Sequence, residues 1–154
     1  MFDIKKQQLN ENSRYKQGYF DRYNPAKYRG KRPIVYRSSY ELAFMRKMEI
    51  NNAVEWWSSE TVVIPYLMKV RKNGKWVQER HNYYMDFTVH LRTGETILCE
   101  VKPSSFVPLN ESQIFRNPEN YKNACKWKAA IAYCKANGLQ FRIITEKHLQ
   151  TKIF

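Results

Sequence analysis

The sequence predicts an α/β fold in which one mixed sheet is flanked by helices and preceded by a basic N-terminal arm. Three observations carry this prediction. Capped helical stretches begin at Ser38 and at Asn117. Between them run three segments rich in Val, Ile, Tyr and Phe, separated by Asn-Gly and Thr-Gly turns. A fourth such segment follows the second helix, after Gly138. Helix, three antiparallel strands, helix, strand closes as a single sheet with helices on its faces. With 154 residues, 43% of them apolar, the chain is about one domain long and buries a core without staples.

Residues 1–37 read as an arm and residues 38–154 as the folded domain. The arm holds ten Lys or Arg against three acids and is rich in tyrosine. Its apolar residues follow neither the helix nor the strand period, so it lies on the domain or on a partner. Cations interleaved with aromatic rings suit a nucleic acid; a solvated or protein-bound tail has the same composition.

The first helix runs from about Ser38 to Asn52. Ser38 is its N-cap, and Glu41 stands three residues on in capping-box spacing. Leu42, Phe44, Met45 and Met48 form its apolar stripe. A strand is expected over 61–68, extended through Asn73-Gly74 into a hairpin reaching Trp76-Val77. Two strands follow, Tyr83–Leu91 and Glu95–Lys102, joined by Arg92-Thr93-Gly94. Asn117-Pro118-Glu119 opens the second helix with a cap, a first-position proline and an acid near the positive dipole end. Ala124, Trp127, Ile131 and Cys134 make its apolar stripe, and Gly138 ends it. Leu139–Thr145 is the last strand, with a helical tail beyond it.

Charge narrows the class of partner. Lys and Arg number 27 against 14 acids, a net charge of +13, which points to a polyanion, most often nucleic acid. Cys99, Cys125 and Cys134 cannot all pair and show no zinc spacing, so reduced thiols are expected. No apolar run is long enough to span a membrane, and the first residues lack the apolar stretch of a secretory signal, so an intracellular protein without membrane contact is expected.

The hairpin raises the chemical question. Across a three-residue Gly turn, Phe87 faces Cys99 and Val89 faces Ile97, forming an apolar face with Leu91 and Val101. On the opposite face Asp86 comes opposite Glu100, with Lys102 one step along. Two opposed carboxylates repel unless a cation sits between them, and Mg²⁺ is the natural hard cation for carboxylate oxygens. A lysine beside them can orient a water or stabilise charge on a phosphate. These are the parts of a metal-dependent phosphodiester hydrolase. Solvated charges neutralised by Lys102 are the plain alternative. Glu41 has its own, the capping box, although it heads an apolar stripe that points at the sheet. Trp56, Trp57 and Trp127 read as core. His81, His90 and His148 receive no role, although His90 shares the Asp86 face.

Glu on the first helix, Tyr84-Met85-Asp86-Phe87, and Cys99-Glu100-Val101-Lys102-Pro103 resemble the PD-(D/E)xK nucleases, with Met85 where the name-giving proline would stand. Asn24-Pro25, Tyr36-Arg37-Ser38-Ser39-Tyr40-Glu41, Trp57-Ser58-Ser59-Glu60, Ile64-Pro65-Tyr66 and Lys126-Trp127 look like the head completion nucleases of T-even-like tailed phages, small relatives of the TnsA-type endonucleases. The resemblance implies a restriction-endonuclease-like core and a DNA endonuclease that processes ends at packaged phage heads. It implies Glu41, Asp86, Glu100 and the Val101 carbonyl as ligands of Mg²⁺, with Mn²⁺ as a substitute and no small-molecule cofactor. It implies Glu41, Asp86, Glu100 and Lys102 as catalytic residues; Arg37 and Lys126 are candidate phosphate contacts, with solvated surface charges as the plain alternative for each. DNA and head or portal proteins are the implied partners, and the host cytoplasm or the virion the implied location. The rival readings are a non-catalytic DNA-binding component of a phage head, and a junction-resolvase or restriction-like nuclease.

Overall fold

The computed structural model describes residues 16–154. The first fifteen residues of the expected arm lie outside the described residues. The remainder of that stretch forms β1 (Gly18–Tyr19) and β2 (Val35–Tyr36), paired antiparallel, with a 3₁₀ turn at Phe20–Tyr23 between them. Phe20, Tyr28, Ile34 and Tyr36 from this stretch are buried in the larger of two hydrophobic cores. Gly18 leaves room for the Tyr36 ring, since a Cβ there would lie 2.2 Å from its hydroxyl.

Helix α1 (Ser39–Ile50) begins where its cap predicts: the Ser38 hydroxyl accepts the Glu41 N–H at 3.1 Å. Leu42, Phe44, Met45 and Met48 are all buried. Strand β3 (Val54–Ser59) follows, where no strand is expected from the sequence. A register shift between Val54 and Trp56 breaks its alternation, and Ser58 and Ser59 are buried beside Trp57. A bulge and two small polar residues hide the period-two signal.

Strands β4 (Val63–Lys72) and β5 (Lys75–Tyr84) form a separate two-stranded sheet with ten facing pairs. Its turn is the expected Asn73-Gly74, with φ of 51° and 75°. The segment at 61–68 therefore does not join the central sheet, as the sequence led us to expect; β3 takes that place. Tyr83 and Tyr84 also belong to this ribbon. A bend at Met85-Asp86 separates them from β6 (Phe87–Leu91).

Strand β7 (Thr96–Val101) pairs with β6 in the expected register, Phe87 on Cys99 and Val89 on Ile97. After a short α2 (Glu111–Ile114), α3 (Pro118–Asn137) is capped by the Asn117 side chain, which accepts the Asn120 N–H at 2.8 Å, and ends at Gly138 with φ 68°. Its buried stripe is Asn123, Trp127, Ala130 and Cys134; Ile131, expected inside, faces solvent. Strand β8 (Gln140–Ile144) runs parallel to β7, and α4 (Glu146–Leu149) closes the described chain.

The fold is mixed α/β. The central sheet has the order β3-β6-β7-β8. On one face Phe87, Val89, Leu91, Ile97, Cys99 and Val101 pack with the α1 stripe, and Phe44 stacks on Phe87 at 4.5 Å. On the other, Leu98 meets Trp127, Ala130 and Cys134 of α3 together with Ile64, Tyr66, Tyr83 and Met85. All three cysteines are free, and among the described residues no helix is long and apolar enough to cross a membrane.

Candidate functional site

Four carboxylates gather at one end of the central sheet, each delivered by a different local device. Glu41 comes from the first turn of α1. Asp86 comes from the bend that separates β5 from β6, and Glu100 from the end of β7. Glu60 follows β3 directly and has φ 55°, a left-handed conformation that is costly for a side chain other than Gly or Asn. The Glu60 N–H donates to the Asp86 carbonyl at 3.1 Å and so closes the base of the β4–β5 ribbon.

Each acid is held by a named donor. The Arg37 N–H donates to Glu41 Oε2 at 3.1 Å. The Val101 N–H donates to Asp86 Oδ2 at 2.9 Å. The Tyr83 hydroxyl donates to Glu100 Oε2 at 2.5 Å. The Arg37 Nε lies 3.7 Å from Glu60 Oε1. In each of Glu41, Asp86 and Glu100 the second oxygen accepts no hydrogen bond from the described residues.

The acids act on one another. Burial pushes the Asp86 carboxyl well above its usual range, Glu100 and Glu41 push it further, and the Val101 N–H opposes them. Burial raises Glu41 to about 7; the Arg37 N–H opposes, while Glu60 and Glu100 add repulsion. The Tyr83 hydroxyl is raised by burial and by the Glu100 and Asp86 charges, so it stays a proton donor to Glu100. Carboxyls raised in this way, as Asp86 and Glu41 are, can give up protons to a cation that replaces them. Among the described residues no three acidic, His or Cys side chains already converge in ligand geometry.

Of the residues singled out in the sequence, Glu41, Asp86 and Glu100 come together, and Val101 joins through its N–H. Lys102 follows Glu100 by two, half-buried, with its N–H on the Ile144 carbonyl at 2.9 Å. Arg37 is drawn into the acid cluster by Glu60 and the start of α1. Lys126 lies with its Nζ 5.4 Å from the centre of the ring of Tyr83, the residue that holds Glu100. Glu60 and Tyr83 were not singled out. No periodicity marks a left-handed glutamate, and Tyr83 is one of many tyrosines until the bend at Met85-Asp86 brings it under Glu100.

Two comparisons bear on this geometry. The TnsA-like endonuclease N-terminal family matches residues 51–146, a span that holds Glu60, Asp86, Glu100 and Lys102. The chain is also similar to the head completion nuclease of Enterobacteria phage T4, 34% identical over 140 residues that cover 82% of this chain and 89% of that protein.

Proposed function

This chain belongs to the TnsA-like endonuclease family, and we propose on that footing that it is a Mg²⁺-dependent DNA endonuclease that processes DNA ends at packaged phage heads. The observation that carries the catalytic part is the cluster of Glu41, Asp86 and Glu100, each with one oxygen pinned by a protein donor and the other left open. The order α1, β3, β6, β7, α3, β8 supports a restriction-endonuclease-like core, with the β4–β5 ribbon inserted between Glu60 and Asp86. The head-processing role rests on the similarity to the T4 protein. DNA and head or portal proteins would be the partners, in the host cytoplasm or on the virion.

The donor set fits the metal. Three open carboxylate oxygens whose charges repel one another suit a small hard cation. Glu41, Asp86, Glu100 and the Val101 carbonyl would hold it, with Mn²⁺ as a substitute. When bound, the ion would polarise the scissile phosphate and acidify a water. The chain supplies the rest. Val101 and Tyr83 fix Asp86 and Glu100 in orientation, Glu41 is steadied by the Arg37 backbone, and Lys102 brings a positive charge for the phosphate or the attacking water.

The test is incubation of wild type and Glu100→Gln with linear and circular duplex DNA, in Mg²⁺ or in chelator. Cleavage by wild type in Mg²⁺ alone supports the reading, and the products separate end-trimming from internal cutting. DNA binding without cleavage, joined to no divalent-ion binding by calorimetry, would turn the assignment to a structural component of the head.

A further inference from the structure

The β4–β5 ribbon is rooted in the site at both ends. It leaves immediately after Glu60 and returns through Tyr83 to Asp86, and the Glu60–Asp86 backbone bond clamps its base. It pairs with no other strand of the described residues. Two ten-residue strands reach at most about 33 Å, close to one turn of B-form DNA at about 34 Å. A two-stranded ribbon is also one of the few elements that a DNA major groove admits.

Its surface chemistry points the same way. Between Val63 and Tyr84 there are five Lys or Arg and one acid. That acid, Glu79, is already paired with Lys72 at 2.6 Å and hydrogen-bonded to the His81 ring at 3.2 Å. Among the described residues Lys69, Lys75 and Arg80 have no acidic partner. At the tip, Trp76 is 67% exposed with the Arg71 guanidinium 5.7 Å over its ring. A groove of about 850 Å³ separates the ribbon from Phe115, itself 71% exposed, and from Arg116 at the mouth of α3. A protein partner would have to bury those unpaired cations at a cost, whereas a phosphate backbone supplies the opposite charge along their whole length.

We propose that the β4–β5 ribbon is the DNA-binding arm of this chain, laid along duplex DNA for about one helical turn on one side of the acid cluster, with Lys69, Lys75 and Arg80 on phosphates and Trp76 at the leading end. The inference rests on DNA being the substrate. It adds that the distance from the cut is set by a ribbon whose roots are the site's own residues.

The experiment uses the full chain and a labelled duplex of about three helical turns. Binding is followed by anisotropy across a salt series, and Trp76 by acrylamide quenching against Trp76→Phe. Trp57 and Trp127 are buried and Trp56 is half-buried against His90, so the difference from Trp76→Phe isolates the Trp76 signal. The triple variant Lys69→Gln/Lys75→Gln/Arg80→Gln changes surface side chains only, and a thermal melt checks that it folds. We expect its Kd to rise about tenfold or more and its salt slope to fall by about three units. We also expect DNA to shield Trp76 in wild type. Wild-type binding matched by the triple variant in Kd and slope overturns the ribbon proposal and leaves the nuclease reading standing. Binding through the ribbon with neither cleavage nor divalent-ion binding supports the ribbon and overturns the catalytic reading. No binding by wild type overturns both.

Discussion

Replacing Glu41 by Gln tests the electrostatics of the acid cluster. Gln keeps an oxygen for the Arg37 N–H and suits the third position of a capping box, so the change removes charge and little else. In the folded chain the Glu41 carboxyl is raised from 4.5 to about 7, first by burial and then by Glu60 and Glu100. A folded value above the unfolded one means that the fold holds the proton more tightly than the unfolded chain does. This group therefore costs nothing below about pH 4.5, and its cost grows as pH rises to about 7. At about 1.4 kcal/mol per pH unit the ceiling is about 3 kcal/mol at pH 8. Two effects lower it. A negative charge in the first turn of α1 gains roughly 0.3–1 kcal/mol from the helix dipole, and Asp86 competes for the same protons. About 1–3 kcal/mol remains, or roughly 3–8 °C for a chain of this size.

The assay is a series of thermal melts in chelator from about pH 5 to pH 8, read as the Tm of Glu41→Gln minus that of wild type. The difference should be near zero at the acid end and reach several degrees in favour of the variant at pH 8. Added Mg²⁺ should raise wild type and shrink the gap, because a cation bound by the folded state stabilises it by mass action. A gap that does not change with pH, or a variant less stable at every pH, refutes the claim that Glu41 is held against its own charge.

Glu100→Gln keeps an acceptor for Tyr83 and should fold, yet lower the cleavage rate by at least about a hundredfold, read from linear duplex on a gel. Tyr83→Phe leaves Glu100 Oε2 without its donor. It should cost about 1–3 kcal/mol in urea unfolding and weaken divalent-ion affinity about ten- to a hundredfold by calorimetry. Gly74→Ala meets no neighbour but sits at φ 75°, so a cost of about 1 kcal/mol is expected, seen as a Tm drop of about 2–4 °C. An unchanged Tm would mean that the turn relaxes.

The regular parts of the fold were legible because they obey local chemistry. Ser38 and Asn117 cap helices with the side chains expected to do so. The Gly94 turn sets the β6–β7 register, and register alone decides which six side chains form the apolar face. What escaped was decided elsewhere in the chain. β3 is bulged and carries buried serines, so its alternation is gone. The strand at 61–68 looks like a member of the central sheet, and only the bend at Met85-Asp86 turns its partner away into a separate ribbon that packs on α3. Phe20, Ile34 and Tyr36 stand at no helical or strand period, yet they are buried in the larger core, so a deletion that tests the arm for DNA binding should stop at residue 15.

For the site, the hairpin exposed two acids and the first helix a third, since regular elements carry side chains to places that can be counted. Glu60 needed the tertiary structure, because its left-handed backbone has no sequence signal. The cluster as a whole has a thermodynamic oddity that no local pattern shows. In a chain of net charge +13, lysine or arginine could have been placed against every one of these acids. Instead Arg37 pairs with Glu60, while burial and then Glu100 and Glu41 raise Asp86, and burial and then Glu60 and Glu100 raise Glu41. Asp86→Asn, which keeps an acceptor for the Val101 N–H, would relieve that repulsion and stabilise the metal-free fold. An arrangement that neutral residues would improve, and that a hard cation would relieve, departs from what folding alone favours. That departure is the physical ground for reading the end of this sheet as a site and not as a cap on the core.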